Sequence, residues 1–504
     1  MSSAGLSSLS LVAVITLTAS VNVSVGVSGC KAPTAPAPTL TPAELLDPAT
    51  CQGCHPDAFA DWSGSMHAYA SDDPVFLAME ARAQRETGGA IGTFCTRCHA
   101  PMAVLNQLGG ADGGTDGGID LATLPAPLKG VTCFFCHSAQ AVTGTHDNPL
   151  THATDGVMRA GLQDPTPNTA HDSAYLALLD RNDPSSASLC GSCHDIVNTL
   201  GTPLEQTYAE WQGTLFSHEP LELTCGECHM TGTQGLAANY PGAGVRRVHS
   251  HQFPGVDVAL TDFPQAAVQQ AAVQAQLDNT LQAALCVKGN AGQVSIQVVL
   301  DNVGAGHKWP SGATQDRRAW VEVIASSAGQ PFYSSGVVAD GQSVLDLKDP
   351  DLWLLRDCIF DSQGQPVNMF WEAASHDSNQ LLGPVTNVQT DPSYYLTHAL
   401  RTYPASTSVP ATLTTMPDSV TMRVRLVPVG LDVLDDLIDG GDLDPSVKAK
   451  MATFSLGATT LTWTAATATI KYPEDGLPVL CVASGLSNGG VGAHPAPEHT
   501  MCTP

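Results

Sequence analysis

Ten of the 15 cysteines in this 504-residue chain fall into five copies of one pattern. They are Cys51-Gln-Gly-Cys54-His55, Cys95-Thr-Arg-Cys98-His99, Cys133-Phe-Phe-Cys136-His137, Cys190-Gly-Ser-Cys193-His194 and Cys225-Gly-Glu-Cys228-His229. Cys-x-x-Cys-His is the attachment signature of c-type haem. Two thiols three positions apart on a helical turn reach the two vinyl groups of one porphyrin, and the next residue then lies under the iron as an imidazole ligand. Structural zinc would pair CxxC units with one another and has no need of the fifth residue. Disulfide or redox-active CxxC readings also leave that histidine unexplained. The pattern predicts five c-type haems, with His55, His99, His137, His194 and His229 as proximal iron ligands.

Residues 51–255 must serve all five haems, which leaves about 40 residues for each and little room for a conventional apolar core. The haems are expected to form much of the interior, close enough to exchange electrons. A second histidine on each iron would make a saturated carrier, whereas an open position would admit a substrate. Twelve of the 17 histidines lie outside the motifs, so supply exceeds need.

The stretch 51–68, with Trp62-Ser-Gly-Ser-Met-His67-Ala68, resembles the opening of the cytochrome c-552/c-554 type family, a branch of the superfamily of hydroxylamine oxidoreductase and pentahaem nitrite reductase. Phe94 to Pro101, Gly130-Val-Thr-Cys133, His171 ahead of Leu189 to His194, Thr207-Tyr-Ala-Glu-Trp211 ahead of Cys225 to Met230, and His251-Gln-Phe-Pro-Gly255 resemble it as well. The resemblance covers about residues 49–256. It implies that His67, His171 and His251 are distal ligands to haems other than their nearest neighbours in sequence. His249 is an alternative ligand or a propionate partner. His146, His152 and His218, in loops rich in Gly, Thr and Pro, are further candidates. No CxxCK motif occurs, which counts against a standard ammonia-forming nitrite reductase of that superfamily.

After Gly255 the texture changes. Val294, Ile296, Val298 and Leu300 alternate with more polar neighbours, the period of a half-buried strand, and a hairpin with 281–288 is expected across the glycines at 289 and 292. Trp320 to Ile324, Ser419 to Leu426 and 459–470 continue the strand pattern, and 263–277 reads as a helix. His307, flanked by glycines in Asn302-Val-Gly-Ala-Gly-His307-Lys-Trp-Pro-Ser-Gly312, could reach a haem across the domain interface as a distal ligand. Arg317 or Arg318 could pair with propionates. The segment, with Arg317-Arg318-Ala-Trp320, resembles a motif seen in C-terminal domains attached to multihaem cytochromes. The other reading of His307 is a buried residue that fixes its loop by hydrogen bonds.

The fold class read from this is α + β and multidomain: a mainly helical and loop multihaem domain wrapped round stacked haems, followed by a C-terminal antiparallel β-sandwich. The expected divisions are a lipoprotein-type signal at 1–30, a Pro/Ala/Thr-rich tether at 31–48, the pentahaem domain at 49–260, a helical linker at 261–280, the β-sandwich at 281–475 and a Gly/Pro-rich tail at 476–504. Residues 1–30 carry no charged side chain and end in Val27-Ser-Gly-Cys30, which looks like a lipobox with Cys30 as the lipidated residue. An ordinary secretory signal is the rival reading. Of the remaining cysteines, Cys481 is expected to pair with Cys502, bracketing the tail, and Cys286 with Cys358.

The formal charge of -27, from 21 basic and 48 acidic residues, argues against nucleic acid, whose phosphates need clustered Lys and Arg. The expectation is an exported protein, periplasmic or on the cell surface, anchored through Cys30, that passes electrons between redox partner proteins. The alternative is an oxidoreductase acting on a small nitrogen or sulfur compound at one open haem.

Overall fold

The computed structural model describes residues 38–107, 119–290, 293–384, 398–405, 416–474, 477–485, 494–495 and 502. The expected signal, Cys30 and the first part of the tether lie outside the described residues. From Pro42 to His249 the chain runs through short helices, turns and four two-stranded ribbons. The longest described helix there is Pro74–Glu86. It starts because Asp73 caps the Val75 and Phe76 amides and Pro74 supplies a preset φ at the first turn. It stops at Thr87, where Gly88 turns into the left-handed region at φ 61° and the Gly89 amide bonds the Gln84 carbonyl at 2.8 Å.

Apolar side chains do little to hold this half together. Its main cluster is Ala100, Ala103, Ile119, Leu121 and Leu124, whereas the two large clusters of the molecule centre on the second half. As the residue count per motif requires, the first half closes round a cavity.

The linker forms a helix, Ala266–Leu277, within the expected span. Strands Gln282–Asn290 and Gln293–Asp301 then pair antiparallel as a hairpin, in register from Gln282 opposite Asp301 to Asn290 opposite Gln293. They lie in the middle of a six-stranded sheet that also contains Ile470–Glu474, Leu477–Ser484, His398–Tyr403 and His494–Pro495, the last two parallel to each other. A second sheet is built on Arg318–Ser327 and Ser419–Val427, flanked by Gln330–Ser335, Trp353–Leu355, Phe454–Ser455 and Leu461–Trp463. Side chains of both sheets meet in one core. Leu285, Ile296 and Val298 come from the first, and Val321, Val323 and Val424 from the second.

Three expectations need correction. The strand foreseen over 459–470 is broken, because Thr464 and Thr467 bond each other's backbone and close a turn between Leu461–Trp463 and Ile470–Glu474. The tail foreseen from 476 contains Leu477–Ser484, an apolar strand seated between Ile470–Glu474 and Gln282–Asn290. The cysteine pairing also differs: the disulfides are Cys286–Cys481 and Cys358–Cys502. Strand register is the reason. Cys481 stands directly opposite Cys286 with the Cα atoms 4.1 Å apart, while Cys358 belongs to a separate three-stranded sheet.

Polar bonds join the halves. Arg82 and Arg85 of the helix Pro74–Glu86 pair with Asp436 and Asp442 at 2.9 and 2.6 Å. Asn198 donates to the Phe370 and Ala373 carbonyls, and Thr207 bonds Ser311. Arg317 forks onto Asp257 at 3.0 and 3.1 Å.

Candidate haem-binding cavity

Each motif is wound into one helical turn, the geometry that puts both thiols on one side. The histidine amide bonds the first cysteine's carbonyl at 2.8 Å in the His55 motif, 3.2 Å at His99 and 3.0 Å at His194. The other two motifs lie inside the helices Cys133–Ser138 and Cys225–His229. Their starts are specified locally. Thr132 accepts from the Phe135 amide, and the Thr224 amide donates to the Glu227 carboxylate at 2.9 Å.

Gly191 is required where it stands. A Cβ there would meet Cγ of Tyr208 at 2.3 Å, so the tyrosine ring lies flat on the turn of the Cys190 motif. Gly191→Ala is expected to cost about 1–3 kcal/mol in overpacking and to lower the yield of fully haem-loaded protein. Intact mass and a denaturation curve would measure this. An unchanged curve would show that the ring is free to move.

Seven of the histidines share a pattern. Nδ1 of His55, His99 and His229 donates to the carbonyls of Ala237, Ala70 and Pro254 at 2.7, 3.1 and 2.8 Å, and His137 does the same to Arg159. His171, His251 and His307 donate to the carbonyls of Asp172, His249 and Lys308 at 3.0, 3.0 and 2.7 Å. A donating Nδ1 fixes the tautomer that leaves the Nε2 lone pair for a metal. His376 is arranged in the opposite sense, with Nε2 on Asp357 at 2.8 Å. His146 bonds the Asp147 carboxylate and His152 bonds Ser138.

One cavity of about 1780 Å³ is lined by all ten motif cysteines, the five motif histidines, and His67, His171, His249, His251 and His307. His146, His152 and His218 are not among its lining residues. Burial pushes His67 down to about 3, with His194 and His251 adding to the shift. Burial likewise takes His137, His194 and His307 down to about 4. All are therefore neutral imidazoles near pH 7, the form that ligates.

Two pairs face each other across open space. The His55 and His171 ring centroids are 6.4 Å apart and inclined by 28°, and those of His67 and His194 are 6.4 Å apart and inclined by 52°. Imidazoles that ligate one metal from opposite sides, with metal–nitrogen bonds of about 2 Å, hold their centroids about 6 Å apart. The two gaps therefore fit an iron, and the motif cysteines beside them fit its porphyrin. His251 is an electrostatic neighbour of His137, and His307 of His229 and His194.

The model of the family described as cytochrome c554 and c-prime matches residues 50–138, which hold the first three motifs. The chain is a multihaem c-type cytochrome. Its fold is similar to the crystal structure of a penta-heme cytochrome c552 from Thermochromatium tepidum, at 18% identity and a TM-score of 0.57, over 84% of this chain and 100% of that one. No curated protein matches the sequence.

In the cytochrome, sulfur contacts give the neighbourhood of the motifs. The thiols of Cys51 and Cys133, of Cys98 and Cys193, and of Cys190 and Cys225 lie within hydrogen-bonding reach of one another. These atoms stand for thioether sulfurs once haem is attached. The first motif thus adjoins the third, and the fourth adjoins both the second and the fifth.

The arginines foreseen as propionate partners are committed elsewhere. Arg317 binds Asp257, the Ser311 carbonyl and the Pro428 carbonyl, and Arg318 binds Asp432 at 2.5 and 3.1 Å. A buried guanidinium needs a carboxylate, and both found one inside the protein.

Sequence reasoning missed Phe253. Its backbone is held at φ 47°, a costly state for a bulky residue. Its ring lies 4.4 Å from that of His67 and 5.7 Å from that of His251, and the next residue supplies the carbonyl that orients His229. Gly130 was in the sequence reading without a role. At φ +60°, it would place a Cβ 2.5 Å from the His67 carbonyl, which instead accepts the Val131 amide at 2.8 Å.

Burial also raises carboxyls along the cavity wall. Asp316 is pushed up to about 7 against the pull of Arg318 and Arg317, and its Oδ1 has no hydrogen-bond partner. The folded protein keeps this proton where the unfolded chain, with an ordinary value of 3.8, has released it. Stability from this group is therefore lost as pH rises from about 4 to about 7. Glu205, also pushed to about 7, and Asp73, pushed to about 6, act in the same direction. The urea midpoint is expected to fall between pH 5 and pH 8, and Asp316→Asn to remove part of that fall. An identical fall in the variant would clear Asp316 of any part in it.

Proposed function

We propose that this cytochrome is a five-haem electron relay with four of its irons held between pairs of histidines. The observation that carries the reading is the facing of His55 on His171 and His67 on His194, each at 6.4 Å, within one cavity that all five motifs line. When bound, c-type haem supplies one-electron chemistry at its iron. The chain's own residues attach it through ten thioethers, present imidazoles, and hold seven of the rings by backbone carbonyls. His251 and His307 serve as further distal ligands, the second contributed by the C-terminal half.

In this reading residues 49–260 form the haem-wrapping domain and the two sheets of the second half form a β-sandwich, supported by their shared core. Export and a lipid tether at Cys30 complete it, with redox proteins as partners. Among the described residues no helix is long and apolar enough to cross a membrane. Cys30 itself is tested by mass spectrometry of the mature N-terminus.

The experiment is spectroscopy with intact mass on the purified ferric protein. Five added haems are expected, with four low-spin centres that nitrite, hydroxylamine and, after reduction, carbon monoxide leave unchanged. Fewer than four such centres, with further high-spin haem that binds those ligands, would replace the relay with an oxidoreductase of small nitrogen compounds.

A further inference from the structure

Nine histidines serve as ligands in the relay reading, and seven of them have Nδ1 on a backbone carbonyl. The other two, His67 and His194, face each other. Among the described residues neither ring has a hydrogen-bond partner. The backbone of His67 is held, since its carbonyl accepts the Val131 amide at 2.8 Å, but that bond leaves the side-chain torsions free. The ring packs instead on Phe253, with centroids 4.4 Å apart and planes tilted by 57°.

Phe253 is fixed from both sides. Asp61 accepts the His251 amide at 3.0 Å and the Gln252 side chain at 3.3 Å, and the Pro254 carbonyl accepts from His229. A bulky residue at φ 47° persists where its neighbours over-determine it, and such strain marks a side chain held in place for a purpose. The Phe253 ring also meets that of His251 edge-on, at 5.7 Å and 83°. It therefore touches the distal candidates of both the third and the fourth motif.

Those two motifs form a crossing. Sulfur contacts group the first motif with the third, and the second and fifth with the fourth. The groups approach each other where Cys136 of the third motif neighbours Cys190 of the fourth. His251 and His67 are neighbours as well.

We infer that Phe253 is a positioning residue: its ring takes the place of a backbone carbonyl, sets the plane of the His67 imidazole, and steadies His251 where the two groups of motifs meet. The inference rests on the relay reading. A residue behind a ligand fixes that ligand's orientation and so tunes the metal it binds. At this crossing one electron leaves one centre, which is oxidised, and reaches its neighbour, which is reduced, with no bond made or broken.

Two variants of the full-length protein remove the ring in different ways. Phe253→Leu keeps most of the volume, and Phe253→Gly keeps a backbone that adopts φ 47° without strain. Phe253→Tyr keeps the ring. Intact mass and electron paramagnetic resonance of the ferric protein compare them, with His67→Ala marking the low-spin signal of the His67 centre. Phe253→Leu and Phe253→Gly are expected to retain five haems and to shift that signal, leaving the others in place; Phe253→Tyr is expected to match the wild type. Electron redistribution after a substoichiometric pulse of radiolytic reductant is expected to slow roughly three- to tenfold without the ring, because a small misplacement of reacting groups costs rate steeply. A wild-type signal in both ringless variants, or a shift of every centre alike, would overturn the role of Phe253. Failure of His67→Ala to change any signal would count instead against the ligation on which the relay reading stands.

Discussion

A His67→Ala variant is expected to retain every thioether-linked haem yet to turn one low-spin centre into a high-spin centre that binds carbon monoxide when reduced. His67 lines the cavity, its ring centroid lies 6.4 Å from that of His194, and desolvation keeps it neutral. Attachment is through cysteine sulfur, so loss of the imidazole does not release the cofactor; it opens one side of the iron. The potential of that centre is expected to rise on the order of 0.1 V, a modest part of the roughly 0.8 V over which axial ligands act. The matching control is His376→Ala, whose Nε2 is already bound to Asp357 and which should leave the spectrum unchanged. Electron paramagnetic resonance of the ferric protein and a redox titration read both. A wholly low-spin His67→Ala spectrum would sink the assignment of His67.

The second large effect is on stability. Asp257→Asn leaves the Arg317 guanidinium buried with its forked partner gone, and breaking one member of such a pair costs about 3–5 kcal/mol. Asp257 is partly exposed, so the lower end of that range is expected. The bond joins the stretch after the last haem motif to the first strand of the second sheet, so its loss should also loosen the joint between halves. Arg317→Met/Asp257→Leu is expected to recover most of the loss, because two apolar groups need no partner. Denaturant midpoints measure both variants. A double variant as weak as the single one would mean that the charge pair itself, and not the unpaired charge, sets the stability.

How much of this was legible in the sequence depends on where the information resides. The motifs announce themselves because their chemistry lies in side chains at fixed spacing. His67, His171, His251 and His307 could be named, and the cavity collects all four. What orients three of them could not, since Asp172, His249 and Lys308 contribute backbone carbonyls that any residue could supply to His171, His251 and His307. The hairpin at 282–301 followed from alternation, whereas the partner of Cys286 depended on which strand lies next to it, a non-local matter. The propionate role foreseen for Arg317 failed for a related reason. Its true partner, Asp257, lies 60 residues away, in a stretch with no pattern to mark it.

The two disulfides also order the chain's sulfur chemistry. Every described cysteine of a haem motif falls between 51 and 228, and every one that forms a disulfide falls between 286 and 502. Thioether formation needs reduced thiols and disulfide formation needs an oxidant, demands that conflict when the cysteines are interspersed. A chain emerging from its N-terminus presents all ten haem thiols before the first disulfide thiol, and the partners of Cys286 and Cys358 come last. Reduction and oxidation can thus act on one polypeptide in turn, with the later chemistry clamping a half that holds no haem motif.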